Sequence, residues 1–237
     1  MVGLTGDSNI DSSVMKEDAM FQDIVRASYM DSYKNLSYKA LTAMHWLKTY
    51  CTRPQHIVKL DDDMVVNPFV LVRYLDIRQK KKRADENRSS ATKSKNIATH
   101  TKPKIIRSID CHVYESSPVT RDNQSKWYVS EGEYPPNAYP PYCYGTAFIM
   151  DVEVVTLLLE ASRRTTFLWV DDAYLTGVLR EKLAIPLHNI GSTYELNNNL
   201  FLQTLLAGER MFLHNPVQDI KTFTFMWEAL LDKEHQV

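Results

Sequence analysis

Three aspartates in a row, Asp61-Asp62-Asp63, separate two apolar runs, His56-Ile57-Val58-Lys59-Leu60 and Met64-Val65-Val66. Like charges side by side repel, and burying an unpaired carboxylate is costly. A strand that runs into such a triplet makes sense around a cation. Oxygen-only ligands favour a hard ion, Mg²⁺ or Mn²⁺, over zinc or copper. The carboxyl end of a strand is also where α/β sheets place their ligands. A solvated acidic turn is the plainer alternative and the commoner one for a bare triplet. Apolar flanks on both sides tip the balance toward function.

The rest of the chain supplies elements around that turn. Val2-Gly3-Leu4-Thr5-Gly6 reads as the end of a strand, and Asp7 to Asp18 as a loop or poorly formed helix. Tyr33, Leu36, Ala40, Met44 and Leu47 recur at three- and four-residue steps, which predicts a helix from Asp31 that stops before Pro54. Pro68 to Leu75 reads as a second helix with proline in its first turn. A strand is expected at Ile105–Ile109 and another over Thr146–Met150, followed by helix from Asp151 to about residue 161. Between them, Trp127 to Tyr144 is too rich in proline for regular structure and reads as a shaped loop. A second acidic pair, Asp171-Asp172, falls between Phe167-Leu168-Trp169-Val170 and the helical Ala173–Leu179. A helix N-terminus stabilises negative charge, so a simple cap is the alternative to a functional role. Ile220 to Leu231 is amphipathic.

Composition narrows the classes. With 237 residues, 44% hydrophobic and 24% charged, the chain has the make-up of a globular protein able to bury a core. A net charge of -1 argues against nucleic-acid binding by bulk electrostatics. No apolar run approaches the roughly 18 residues of a membrane span. Cys51, Cys111 and Cys143 are too few for a disulfide scaffold; one bridge and a free thiol are possible, and spacing does not pair them. Asn35, Asn87 and Asn123 each open an N-glycosylation triplet, which matters only in the secretory pathway. Residues 78–104 are strongly basic and without aromatic rings, and read as a mobile insertion, with a phosphate- or sulfate-binding patch as the alternative. Dinucleotide, Walker, nucleophile-elbow and HExxH motifs are absent. The chemistry must then come from the two acidic clusters and perhaps a histidine.

Taken together, several blocks resemble one family, the β-1,3-glycosyltransferases of the galactosyl- and N-acetylglucosaminyltransferase type. Asp31-Ser32-Tyr33-Lys34-Asn35-Leu36-Ser37-Tyr38-Lys39 is similar to its DxYxNLTxK block, and Lys59 to Val66 to its KxDDDxxV block. Ser125-Lys126-Trp127-Tyr128-Val129 and Tyr139-Pro140-Pro141-Tyr142-Cys143-Tyr144-Gly145-Thr146 resemble SKWYV and YPPYCSGT. Val170 to Gly177 resembles EDVYxxG, and His214 with Met226-Trp227 its late H…MW. All come in the family order. Asp171 stands for a glutamate, Ala173 for a valine and Tyr144 for a serine.

The resemblance implies an α/β, GT-A-like nucleotide-sugar transferase fold with one continuous, mostly parallel central sheet, its amino-terminal strand or strands missing. It implies one catalytic region over 1–237, with 78–104 inserted. It implies transfer of galactose or N-acetylglucosamine from a UDP-sugar, with Mn²⁺ or Mg²⁺, to a glycan on protein or lipid, in the Golgi lumen behind a membrane anchor upstream of this chain. Asp172 is then the base. Asp61, Asp62 and Asp171 serve the donor, and Asp63 and His214 the metal. Trp127, Tyr142, Gly145 and Thr146 line the sugar pocket. A catalytically inactive sugar-binding relative would share these blocks. A phosphoryl-transfer enzyme would need a phosphate cradle or nucleophile motif that the sequence does not contain.

Overall fold

A computed structural model describes residues 1–51, 53–93, 107–214 and 219–235. The chain opens on a crossover unit: strand β1 (Val2–Leu4), helix α1 (Ser8–Phe21) and strand β2 (Arg26–Met30), with β1 and β2 parallel. The stretch read as a loop or poor helix is therefore a full helix. Asp7 caps it, accepting hydrogen bonds from the Asn9 and Ile10 amides. None of its residues is buried, which is why the apolar pattern is weak there. Helix α2 (Leu36–Tyr50) buries Met44 as its spacing predicts. It packs against α4 (Val152–Ser162), and strand β3 (His56–Leu60) follows it in the chain.

After the acid turn come β4 (Met64–Val66) and α3, which runs from Pro68 to Lys93. The basic stretch thus begins inside a helix, and its residues 94–104 lie outside the described residues. Strand β5 (Ile109–Tyr114) starts where the expected Ile105–Ile109 strand was to end. The loop that follows holds a two-residue ladder, β6 (Ser117–Pro118) with β7 (Ala138–Tyr139), and delivers the long strand β8 (Tyr142–Asp151). A π-helical segment, Ala173–Leu179, runs into the short α5 (Arg180–Lys182). Strands β9 (Leu187–Asn189) and β10 (Tyr194–Glu195), helix α6 (Phe201–Ala207), strand β11 (Phe212–His214) and helix α7 (Ile220–His235) complete the chain.

The sheet is mixed rather than mostly parallel, and among the described residues it is not continuous. Four strands order as β3-β8-β5-β9 and three as β10-β11-β4, with β1-β2 and β6-β7 as separate pairs. β8 is antiparallel to both β3 and β5, whereas β9 is parallel to β5. The cause is the connection between β5 and β8. It returns through a loop and no helix, and only a crossover would have kept the strands parallel. The main core lies between this sheet and α2, α4 and the π-helical segment, around Ile109, Phe148, Val154, Leu158 and Leu175.

Behind the sheet, Arg78 of α3 is a buried ionic hub. It donates to Asp110 on β5 at 2.7 Å and to Asp151 at the end of β8 at 2.6 Å. His188 and His56 also meet these carboxylates, each at 3.3 Å. Burial pushes both aspartates up. Hydrogen bonds from the histidines and Arg78, and the Arg78 charge, outweigh burial and hold both well below the usual carboxylate range.

Candidate active site

Strand register assembles the site. β3 pairs with β8 up to Leu60 opposite Ala147, and the next amide, that of Asp61, donates to the Thr146 carbonyl at 2.9 Å. The acidic turn is thereby pinned to β8. β11 pairs antiparallel with β4, placing His214 opposite Met64. That brings His214 Nε2 to 3.6 Å from Asp63 Oδ2. The other carboxylate oxygen, Asp63 Oδ1, is buried without a hydrogen-bond partner among the described residues.

The second cluster precedes the π-helical segment. Leu168, Trp169 and Val170 are buried and drive the following Asp171-Asp172 inward. Asp172 Oδ1 accepts from the Ala173 amide at 2.7 Å at the start of the π-helical segment. One turn on, Thr176 donates to the Asp172 carbonyl at 2.7 Å and accepts from the Cys143 amide at 2.8 Å, tying Asp172 to β8. Gly145 leaves the room this needs: a Cβ there would sit 2.9 Å from Asp172 Oδ2. Cys143 is bonded to Cys111 across β8 and β5, and Cys51 is the free thiol.

These parts face one cavity of about 780 Å³. Of the residues expected from sequence, Asp61, Asp63, Asp172, Trp127, Tyr142, Gly145 and Thr146 line it. Asp62 is exposed on the turn. Asp171 lies behind the wall, close enough for its charge to reach Asp61, Asp172 and Tyr33. His214 reaches the site through Asp63.

Sequence reasoning gave no role to Lys59, Tyr33, Tyr114, Tyr144 or Lys126. The Lys59 ammonium hydrogen-bonds both Asp61 and the Gly145 carbonyl. A lysine inside an apolar strand was its signal. Tyr33 meets Trp127 edge-on at 5.2 Å, and Trp127 stacks on Trp169 at 6.3 Å. Lys126 caps the Trp127 ring at 4.9 Å. The spacing of Tyr33 with Leu36 and Ala40 equally suits the apolar face of a helix.

The electrostatics separate the acids. Burial, then the charge of Asp171, pushes the Asp172 carboxyl up to about 7, against the pull of the Ala173 amide and Lys59. Burial also raises Asp171 and Asp61, and in both Lys59 opposes it. Burial and the charges of Asp171, Asp172 and Asp61 lift the Tyr33 hydroxyl to about 12. A carboxylate poised near neutrality can take up a proton there, which a fully solvated one does poorly.

An α/β chain with an acid turn, a poised buried carboxylate and ring-lined walls has the layout of an enzyme acting on sugars. Comparison with known proteins specifies it. A galactosyltransferase family profile matches residues 1–110 and 91–191. Beta-1,3-galactosyltransferase 1 of Mus musculus and that of Homo sapiens are each 31% identical over 192 residues, 81% of this chain and 52% of theirs. Beta-1,3-galactosyltransferase 4 of Rattus norvegicus is 29% identical over 213 residues, 84% of this chain and 56% of its own. The chain belongs to the β-1,3-glycosyltransferase family. It spans about half the length of the curated relatives it matches.

Proposed function

We propose that this chain is the catalytic region of an inverting hexosyltransferase. It moves galactose or N-acetylglucosamine from a UDP-sugar to a glycan hydroxyl in β-1,3 linkage. The observation that carries this reading is the single cavity in which the acid turn faces Asp172 under tyrosine and tryptophan rings.

An α-linked donor gives a β product only if the acceptor oxygen attacks the anomeric carbon from the face opposite the diphosphate. Asp172 removes the proton of that hydroxyl as the new bond forms. Its carboxylate is oriented by the Ala173 amide. Trp127 and Tyr142 offer ring faces to the apolar sides of sugars, and their polar tips can reach hydroxyls. Asp61, fixed by Lys59 and the Thr146 carbonyl, sets the position of the turn against the base. Asp62 and Asp171 add charge on either side of the donor position.

Asp63 and His214 would hold a divalent ion. An unsatisfied carboxylate oxygen beside an imidazole is a donor set suited to Mn²⁺. No group of three His, Cys, Asp or Glu side chains gathers among the described residues. One or two protein ligands suffice where water and substrate phosphate oxygens supply the rest. When bound, the ion neutralises charge growing on the diphosphate.

The Cys111–Cys143 bridge suits an oxidising compartment such as the Golgi lumen. Among the described residues no helix is long and apolar enough to cross a membrane. The test is a panel of UDP-sugars with Mn²⁺ and glycoside acceptors, the product linkage read by NMR. A β-1,3 product from one donor supports the proposal. Sugar binding without transfer from any donor contradicts it and marks the chain as an inactive relative.

A further inference from the structure

Three consecutive residues of β8, Tyr144, Gly145 and Thr146, all line the cavity. Tyr144 and Thr146 stand two residues apart and so share a face of the strand, while Gly145 between them offers only backbone. The register here is irregular. Cys111 pairs with Phe148, but Val113 pairs with Cys143, so five steps of β8 answer two of β5. The surplus residues bulge, and bulges beside sites re-aim side chains. Each of the three then meets a different part of the site. Thr146 takes the Asp61 amide at 2.9 Å. Gly145 makes room for Asp172, whose Oδ2 lies 2.9 Å from the position a Cβ would take. Tyr144 comes next, one step beyond the base.

That order matters for an in-line inversion. The diphosphate, the anomeric carbon, the acceptor oxygen and the base must follow one another. Whatever lies past the base, seen from the acid turn, meets the acceptor and not the donor. Tyr144 is the next residue of the strand after the two that meet the acid turn and Asp172, and it lines the same cavity. There it meets Tyr114 edge-on, with centroids 5.2 Å apart and planes at 90°. Tyr114 also lines the cavity and is 40% exposed. Asp172 lines the same cavity as this pair of rings. Two rings at a right angle form an open corner that one sugar face can fill.

We propose that Tyr144, backed by Tyr114, forms a distal acceptor subsite that selects glycans carrying a second sugar ring beyond the reacting one. The proposal rests on the transferase reading for its meaning. Its binding test is separate.

The test is an NMR titration of the full chain with two pairs of probes: methyl β-galactoside against methyl β-lactoside, and methyl N-acetyl-β-glucosaminide against methyl β-chitobioside. In one pair or both, the disaccharide should bind about five- to tenfold more tightly, the scale of one added aromatic contact. Tyr144→Ser should erase that preference and Tyr144→Phe should keep it. Tyr114→Ser removes a half-exposed ring without touching the bulge and should also weaken the preference. No preference in either pair, or one that survives Tyr144→Ser or Tyr114→Ser, overturns the proposal. A parallel titration with UDP and Mn²⁺ reads the donor site alone. A chain that prefers disaccharides but ignores UDP has the subsite and is not the proposed transferase.

Discussion

At the scale of single residues, Asp172 and Gly145 are one device. The carboxylate is raised to about 7 chiefly by burial, and in the proposed role it acts as a base only when deprotonated. Transfer, followed as kcat/KM, should therefore climb with pH through about 7 and level off above it. Asp172→Asn keeps the shape and cannot accept the proton. It should lower kcat by about 10²–10⁴-fold, the usual contribution of a positioned base. The same substitution should stabilise the fold in alkali. A group whose pKa is raised on folding contributes stability below its unfolded value and loses it as pH rises through its folded value. The thermal midpoint of Asp172→Asn should thus exceed that of the parent at pH 8 and match it near pH 4. Gly145→Ala is the complementary change. The atom its Cβ meets, Asp172 Oδ2, is the far end of a side chain, so the backbone can stay and the base must move. A displaced catalytic group costs on the order of 10²-fold in rate. We expect that loss in kcat with a melting temperature within a few degrees of the parent; a folding defect with normal kcat would show that the glycine serves packing only.

Among the elements, α3 carries the clearest stability prediction. Arg78 is the guanidinium that pairs with both Asp110 and Asp151, which are buried, and its removal takes from each its closest cationic partner. Arg78→Met should cost about 3–5 kcal/mol in urea unfolding, the range for breaking a buried pair. The carboxylates are depressed on folding, so their contribution is present above the ordinary carboxylate range and fades as pH falls. The gap between parent and variant should narrow below about pH 4. An equal gap at pH 7 and pH 3 would contradict the ion-pair account. This hub also explains what the sequence concealed. β5 contains Asp110 and so breaks the apolar pattern, and α3 hides its inward face behind Arg78 and Lys82. α2, β3, α4 and the core of β8 were legible because their apolar spacing is what the core requires. α1 and β2 were not, since α1 buries nothing and β2 alternates half-buried with exposed positions.

For the whole molecule, periodicity located strands but could not orient them. The mixed sheet follows from a loop return between β5 and β8, and nothing in a strand's own pattern records its direction. The two acidic clusters were legible because charge next to buried apolar runs needs a reason. The walls around them were less so, since Tyr33, Tyr114 and Tyr144 suit a core as well as a cavity. The central claim is that the two clusters divide the work, Asp63 serving the donor and its metal and Asp172 the acceptor. Calorimetric titration with UDP and Mn²⁺ tests it on three proteins: the parent, Asp63→Asn and Asp172→Asn. The account predicts Mn²⁺-dependent UDP binding in the parent, its loss in Asp63→Asn, and affinity close to the parent in Asp172→Asn. Full binding by Asp63→Asn, or an equal loss in both variants, would contradict it.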